Sequence, residues 1–276
     1  MYNANAPSAD PLDDYDYVAD HREAAAKARL GVLKTDVAKA YGRYVSHAGN
    51  GRTLSAANFK ATDRVILREN YRKLDKNASC DRIRNEILES TKWGRCPYCR
   101  LEEATTLDHI LEKEDYPEFS ILRLNLAPVC SRCNTLKQTN KGLVAGHERL
   151  HLYFSGYPME EFLVSRPVLR ASSVAFKFFL RAPSGIDPWW WDAIEAHFVS
   201  LDLAGRYERR AQVEMQDRRD EMLRVHAASG GSGVQRFLQS NAQSISANWS
   251  REDWLSALLI GAAGDTIFCN MGVHRL

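Results

Sequence analysis

The sequence predicts a mainly α-helical chain that carries a small metal-stapled core. Three observations support this fold class. Apolar residues recur every three or four positions through residues 20–91 and again beyond residue 187, as in amphipathic helices. Between these regions four of the six cysteines form two C-x2-C pairs separated by thirty residues. Residues 173–181 (SVAFKFFLR) are rich in branched and aromatic side chains, which is typical of a strand.

Composition and charge exclude several classes of protein. The chain has 276 residues, of which 45% are hydrophobic, so wholesale disorder is excluded. Its 37 Lys and Arg against 35 Asp and Glu give a net charge of +2, so nucleic-acid contact must come from a local patch. The longest apolar run, residues 254–263, is far shorter than the roughly 20 residues that span a bilayer. The first 20 residues hold five Asp and no Lys or Arg, unlike a secretory signal, so we expect a cytoplasmic protein.

The helical elements can be placed from periodicity and capping residues. A stripe in the first helix steps by three and four through Leu30, Leu33, Val37, Tyr41 and Tyr44. Further helices are predicted from a cap at Ser55 to about residue 76, over 80–91, from Asp187-Pro188 onward, over 202–227, and after a capping pair formed by Ser250 and Asp253. The run Trp189–Trp191 suits base stacking, but core packing is the favoured interpretation.

The predicted organisation has five parts. They are a flexible acidic N-terminus (1–19), a helical region (20–91), a metal core (92–141), a mixed strand and helical region (142–228), and a hinge with a C-terminal docking segment (229–276). The last part follows from the SGGSG stretch at 229–233 and from apolar residues in a segment too short for its own core. These residues must pack on the main body, on a second copy or on a partner, and the hinge favours a partner.

The paired cysteines predict a structural zinc site. Cys96 and Cys99 with Cys130 and Cys133 have the spacing of a tetrahedral thiolate site. A redox C-x-x-C pair or a chance pattern are the alternatives. The remaining cysteines, Cys80 and Cys269, stand alone and are interpreted as buried, inert thiols.

The residues between and after the cysteine pairs add a catalytic pattern. In order they read C-x2-C, Asp108-His109-Ile, Asn125-Leu, C-x2-C, Asn134 and Lys137. This order resembles the HNH nuclease family, whose core is a zinc-supported ββα-metal unit. The resemblance implies a fold that is mainly α with a small α+β core, in which a zinc-stapled HNH unit at 92–141 is embedded in helical flanks.

The candidate catalytic residues have suitable chemistry of their own. His109 has the pKa range of a general base, and Asp108 is a hard oxygen ligand for Mg²⁺ or Mn²⁺. The resemblance implies that His109 deprotonates the attacking water, that Asn125 holds the loop and orients the His109 ring, and that Asn134 is a second metal ligand. Asn134 stands where His is commoner, and Gln138 stands at a further position that is often His, so Mn²⁺ is expected to serve better than Mg²⁺. The alternatives are a turn residue for Asn125 and a helix cap for Asn134.

Basic residues near the core are candidates for nucleic-acid contact. Arg132, Lys137 and Lys141 lie on or after the predicted metal helix. A second candidate is the face formed by Arg64, Arg68 and Arg72, which repeat every four residues and could follow phosphates or be merely solvated. No base-reading motif is visible, so little sequence specificity is expected.

Together these features predict a metal-dependent HNH endonuclease acting on nucleic acid, with DNA as the expected substrate. The alternative is a non-catalytic zinc module that binds nucleic acid or protein. The layout also resembles the HNH subunits of bacterial anti-phage systems of the Septu type, which implies an ABC/SMC-like ATPase or another regulatory protein as partner. The sequence contains no G-x-x-x-x-G-K-[ST] of its own. The alternatives to a defence role are a restriction endonuclease, a mobile-element nuclease and a toxin.

Overall fold

The computed structural model describes residues 6–139, 150–154, 161–249 and 253–276. Over these ranges the chain is mainly helical and contains two small antiparallel hairpins. The predicted fold class, mainly α with a small α+β core, is therefore confirmed. Within the same ranges, no helix combines the length and the apolar character that crossing a bilayer requires.

The described residues before the first hairpin form four α-helices, which share one hydrophobic core with Leu107 and Leu126 of that hairpin. Their bounds are α1 Pro11–Asp20, α2 Ala24–Ser46, α3 Ala61–Glu69 and α4 Asp81–Glu89. The predicted stripe on α2 is buried along its whole length. The second predicted helix begins later than expected, since Ser55 is exposed and α3 starts at Ala61.

The acidic N-terminal segment is a packed helix, so the prediction of flexibility over residues 11–19 is wrong. Asp10 caps α1 by accepting a hydrogen bond from the Leu12 N–H at 2.8 Å. Tyr15 and Val18 are buried in the same core as α2. The buried Asp14 carboxylate accepts from Arg123 Nη2 at 2.9 Å. Composition alone does not reveal this packing, because the partner of Asp14 lies more than a hundred positions along the chain.

The central unit is a ββα arrangement. Its elements are β1 Thr106–His109, β2 Leu126–Val129 and α5 Ser131–Thr139. The strands pair antiparallel, with Asp108 opposite Ala127 and His109 opposite Leu126. Leu126 belongs to the N-terminal core, whereas Ala127 and Val129 belong to a second core in the C-terminal half. The two faces of the hairpin are thus each buried against a different helical layer, which fixes its register.

The C-terminal half surrounds a second hairpin with helices. Its elements are β3 Leu163–Leu169, β4 Val174–Leu180, α6 Pro188–Ser200, α7 Leu203–Asp217, α8 Arg219–Asn248, α9 Trp254–Ala263 and α10 Thr266–Asn270. The strand predicted over 173–181 corresponds to β4, whereas β3 was not predicted because Pro167 interrupts it. Asp187 caps α6 as expected, with its Oδ1 2.8 Å from the Trp189 N–H. Trp189, Trp190 and Trp191 are half-buried, and the last two pack against the core, as the favoured interpretation of this run requires.

The segment at residues 229–233 is part of a helix, so the prediction of a flexible hinge is wrong. Helix α8 runs through it with one break, at Gly230, whose φ of +62° is accessible to glycine at little cost. Gly231 is buried, and a Cβ there would lie 2.4 Å from the Asn270 Oδ1 atom. Gly230 thus kinks the helix, and the lack of a side chain at Gly231 lets α8 approach α10.

The C-terminal apolar residues cover the protein's own core, so the prediction of a docking segment built on them is wrong. Trp254, Leu258 and Leu259 are buried. Helix α9 lies so close to β3 that a Cβ at Gly261 would be 2.1 Å from the Ser165 carbonyl oxygen. Ser250, the other half of the predicted cap, lies outside the described residues. Deleting residues 230–276 would remove part of this core and would not isolate a partner interaction.

A buried ion pair joins α9 to the first cysteine turn, and we expect the removal of one partner to be strongly destabilising. Arg100 Nε lies 2.9 Å from Asp253 Oδ2, and Asp253 also caps α9 through Leu255 N at 3.0 Å. Asp253→Asn keeps an amide cap but leaves the Arg100 charge buried, which costs about 3 kcal/mol in comparable pairs. Urea denaturation followed by circular dichroism measures the loss.

The matched control is Asp265→Asn. Asp265 caps α10 by accepting from Phe268 N at 2.8 Å. This substitution is expected to lower the unfolding free energy by about 1 kcal/mol or less. Equal losses in the two variants would show that the ion pair contributes nothing beyond the cap.

Candidate active site and metal centre

The four paired cysteines converge on one point. Their sulfur atoms all lie within 4.8 Å of one another, and all four side chains are buried. Cys99 Sγ and Cys130 Sγ are 3.8 Å apart. A zinc ion with Zn–S bonds of about 2.3 Å places tetrahedral sulfurs about 3.8 Å apart, so this donor set fits zinc with no position left open. Cys80 and Cys269 are buried thiols outside the cluster, as expected.

Hydrogen-bond donors surround these sulfur atoms. The Leu101 N–H donates to Cys99 Sγ at 3.4 Å, and the Cys133 N–H donates to Cys130 Sγ at 3.3 Å. Arg206 on α7 is 4% exposed and donates from Nη1 to Cys133 Sγ at 3.2 Å. Four thiolates around a divalent ion carry a net charge of −2, and a buried guanidinium offsets part of that charge. Sequence spacing could not reveal Arg206, which lies 73 residues beyond Cys133, the last cysteine of the cluster.

Removing the Arg206 charge is expected to weaken zinc binding although all four cysteine ligands remain. In Arg206→Met we expect zinc to leave at least 10-fold faster when a chelating dye is added, because second-layer partners commonly change metal affinity by 10–100-fold. Release of zinc to the dye is followed by absorbance. Arg209→Met is the control, since Arg209 lies on the same helix but pairs with Asp202 at 3.1 Å. Parent-like release from Arg206→Met would contradict this role.

His109 ends β1 with its ring buried. Its Nε2 lies 2.9 Å from the Ser120 carbonyl oxygen. A carbonyl can only accept, so Nε2 carries the proton and Nδ1 is the basic nitrogen. Burial lowers the pKa of His109 to about 3, and the charges of Lys113 and Lys137 add to the lowering. The ring is therefore neutral near pH 7, the form that a general base needs.

Asn125 is fully buried and holds the loop between the two strands. Its Nδ2 donates to the Leu111 and Phe119 carbonyl oxygens at 2.9 and 3.1 Å, and its Oδ1 accepts from Leu111 N at 2.8 Å. Both amide protons are used in these bonds, so the expectation that the amide itself orients the His109 ring is wrong. The Ser120 carbonyl orients the ring. Ser120 directly follows Phe119, whose carbonyl oxygen accepts a hydrogen bond from Asn125.

Asp108 and Lys137 form an ion pair inside the site. The Lys137 ammonium donates to Asp108 Oδ2 and also to the His109 carbonyl oxygen, the latter at 2.7 Å. Lys137 is 5% exposed. The prediction that Lys137 contacts nucleic acid is therefore wrong for this structure, because the spacing that puts Lys137 one turn after Asn134 also turns it toward β1. Its charge balances the buried carboxylate instead.

Asn134 lies in the first turn of α5 and faces β1. Its Nδ2 lies 3.3 Å from Thr106 Oγ1, two residues before Asp108. A carboxylate and an amide oxygen are hard donors that suit Mg²⁺ or Mn²⁺, so the chemistry of this pair fits a divalent ion. The side chain of Gln138 lies outside the described residues.

The basic residues predicted to touch nucleic acid fall in different places. Arg132 is exposed on α5 and borders a groove of about 340 Å³ that is also lined by Arg209 and Arg210 of α7. Lys141 lies outside the described residues. On the other predicted face, Arg64 donates to the carbonyl oxygens of Glu114 and Asp115, while Arg68 and Arg72 are exposed. Contact of Arg132 with phosphates stays a prediction.

Comparisons with known proteins match the central unit. Residues 96–140 match the protein family described as HNH endonuclease. The chain is also similar to protein ea31 of Escherichia phage lambda, with 26% identity over 204 residues that cover 71% of this chain and 67% of that protein. No solved structure gives a significant match. The matched residues contain the four cysteines, Asp108, His109, Asn125, Asn134 and Lys137.

Proposed function

We propose that this chain, whose residues 96–140 form a nuclease domain of the HNH type, is a metal-dependent endonuclease that cleaves phosphodiester bonds in DNA. The observation that carries the proposal is the state of His109. Its proton is fixed on Nε2 by Ser120, which leaves Nδ1 as a neutral base on the residue that follows Asp108. A structural zinc module needs neither residue.

The chain's own residues supply the proton transfer and the positioning. His109 Nδ1 takes the proton of the attacking water, and the resulting imidazolium keeps its Nε2–H bond to the Ser120 carbonyl. Asp108 and Asn134 would hold a divalent ion, which would neutralise charge on the phosphate when bound. Lys137 fixes the end of β1 through the His109 carbonyl. The zinc ion that we assign to the cysteine cluster has a structural role only.

Plasmid nicking tests this proposal. Purified protein is incubated with supercoiled DNA in Mn²⁺, in Mg²⁺, in Ca²⁺ and with no added divalent ion, so that the zinc is not exposed to a chelator. We expect nicking in Mn²⁺, weaker nicking in Mg²⁺, and none in Ca²⁺ or without metal. No cleavage of double-stranded DNA, single-stranded DNA or RNA in any metal would contradict it.

A non-catalytic zinc module is the second candidate. The Lys137–Asp108 pair favours it, because a buried carboxylate already neutralised by an ammonium has less need of a metal. This candidate predicts retention of oligonucleotides on the protein without cleavage, with the same affinity in the presence and absence of Mn²⁺.

We also propose that the nuclease acts in bacterial antiviral defence under the control of an ATPase partner. Support comes from the size of the chain outside residues 96–140 and from the absence of a phosphate-binding loop in its sequence. The similarity to a phage protein supports a mobile-element role instead. Co-purification of the full-length chain from its native operon distinguishes them, since an ATPase should be recovered only in the first case.

A further inference from the structure

A chain of buried hydrogen bonds leads from a histidine outside the HNH match to Asn125. His151 Nε2 lies 2.9 Å from the Tyr44 hydroxyl, and that hydroxyl lies 3.1 Å from Asn125 Oδ1. Tyr44 is on α2 and His151 is in the described segment 150–154. All three side chains are buried, at 0% exposure for Tyr44 and Asn125 and 7% for His151.

The donors and acceptors in this series of hydrogen bonds follow from the tautomer of His151. The Tyr153 N–H donates to His151 Nδ1 at 3.2 Å, so Nδ1 is an acceptor and Nε2 carries the proton. Nε2–H then donates to the Tyr44 oxygen, and the Tyr44 hydroxyl proton is shared between Asn125 Oδ1 at 3.1 Å and the Leu124 carbonyl oxygen at 3.2 Å. Burial lowers the pKa of His151 to about 3, so the ring stays neutral.

The backbone makes room for this pair. Gly49, in the turn after α2, has a φ of +65°, and a Cβ there would lie 2.5 Å from His151 Nε2 and 2.9 Å from the Tyr44 hydroxyl. Even alanine at this position would displace both groups. The rings of Phe119 and Tyr44 also pack in an edge-to-face arrangement, with centroids 4.9 Å apart. The side chains of His151 and Tyr44 are therefore tightly packed.

Asn125, the last member of this series of hydrogen bonds, holds the loop between β1 and β2. The Asn125 oxygen that accepts from Tyr44 also accepts from Leu111 N, and the same amide donates to Phe119 O. Leu111 lies two residues after His109, and Phe119 precedes Ser120, whose carbonyl holds the His109 ring. A rotation of the Asn125 amide would therefore move both ends of the loop that places His109.

We propose that Tyr44 and His151 are positioning residues for His109, acting through the amide of Asn125. The proposal rests on the proposed function, because it assigns these residues to the same site. Neither side chain makes a hydrogen bond with His109, and both lie outside residues 96–140. The HNH unit would then depend on two residues supplied by its flanks for the alignment of its base.

The test compares Tyr44→Phe and His151→Leu with Tyr15→Phe. Tyr15 offers a matched control, since it is 2% exposed and its hydroxyl donates to the Leu30 carbonyl at 2.8 Å without touching Asn125. For cleavage of a labelled DNA duplex in Mn²⁺, we expect kcat to fall about 10-fold in each of the first two variants with KM unchanged. The double variant should lose no more than either single one, because the residues act in one chain.

A spectroscopic measurement separates this proposal from the nuclease assignment. Long-range ¹H–¹⁵N correlation of labelled histidines reports the His109 tautomer, with its signals assigned by their loss in His109→Ala. The parent and Tyr15→Phe should show Nε2–H alone, and Tyr44→Phe should show a mixture. If the parent protein cleaved no DNA but Tyr44→Phe still showed the tautomer mixture, the nuclease assignment would be wrong and the positioning role would stand. Parent-like kcat and tautomer in Tyr44→Phe would overturn the proposal.

Discussion

Replacing Cys130 with serine is expected to release the zinc ion and unfold most of the chain. Parent protein should contain about one zinc per chain, and Cys130→Ser should contain almost none. A structural zinc site contributes free energy comparable to the whole stability of a domain, on the order of 5–15 kcal/mol. We therefore expect the variant to lack a cooperative thermal transition. Metal analysis and a melting curve measure the two effects.

The loss should spread because the cysteine cluster connects several elements of the C-terminal half. The four cysteines belong to the C-terminal hydrophobic core. Arg206 of α7 bonds to Cys133, and Arg100, in the turn after Cys99, is paired with Asp253 at the start of α9. Without the ion, Arg206 loses its thiolate partners, and the turn that places Arg100 against Asp253 is no longer held by the metal.

The same substitution at a cysteine outside the cluster is the control. Cys80 is fully buried in the N-terminal core and binds no other cysteine. Cys80→Ser should keep its zinc and lose about 1–3 kcal/mol, the cost of burying a hydroxyl. If Cys130→Ser kept its zinc or melted like Cys80→Ser, the cluster would not be a structural metal site.

The local features of this fold could be predicted from the sequence. The double C-x2-C pattern, the α2 stripe and the Asp187-Pro188 cap depend on residues a few positions apart, and the structure has all of them. The same rule applied at Asp10-Pro11 predicts α1, whereas the acidic, aperiodic composition of residues 1–19 predicts a flexible segment.

The features that sequence analysis missed depend on distant partners. Arg206 reaches the cysteine cluster, and Tyr44 reaches Asn125 across 81 positions. The sequence presents Lys137 as a surface cation, but its partner Asp108 lies 29 positions earlier on β1. The C-terminal apolar residues were predicted to need a partner, because the space that they fill beside β3 exists only in the folded chain. Periodicity indicates that a face is buried but not what covers it.

His109→Ala is expected to abolish cleavage while the zinc and the fold remain. Loss of a general base lowers the rate roughly 10²–10⁴-fold. The substitution also removes a buried ring that contacts Tyr71 at a centroid distance of 4.4 Å and leaves the Ser120 carbonyl without its donor. Some loss of stability must therefore accompany it, so activity is measured well below the melting temperature, as single-turnover cleavage in Mn²⁺.

His197→Ala separates catalysis from stability in this experiment. His197 is 6% exposed, its Nε2 lies 3.3 Å from the Tyr98 carbonyl oxygen, and its ring contacts Tyr98 at 5.0 Å. The two histidines thus have similar burial and similar partners, and only His109 adjoins Asp108. If His197→Ala loses comparable stability but keeps the parent rate, the rate lost in His109→Ala belongs to the chemistry of Nδ1. If both variants lose the rate equally, His109 acts by supporting the fold, and the base must be sought elsewhere.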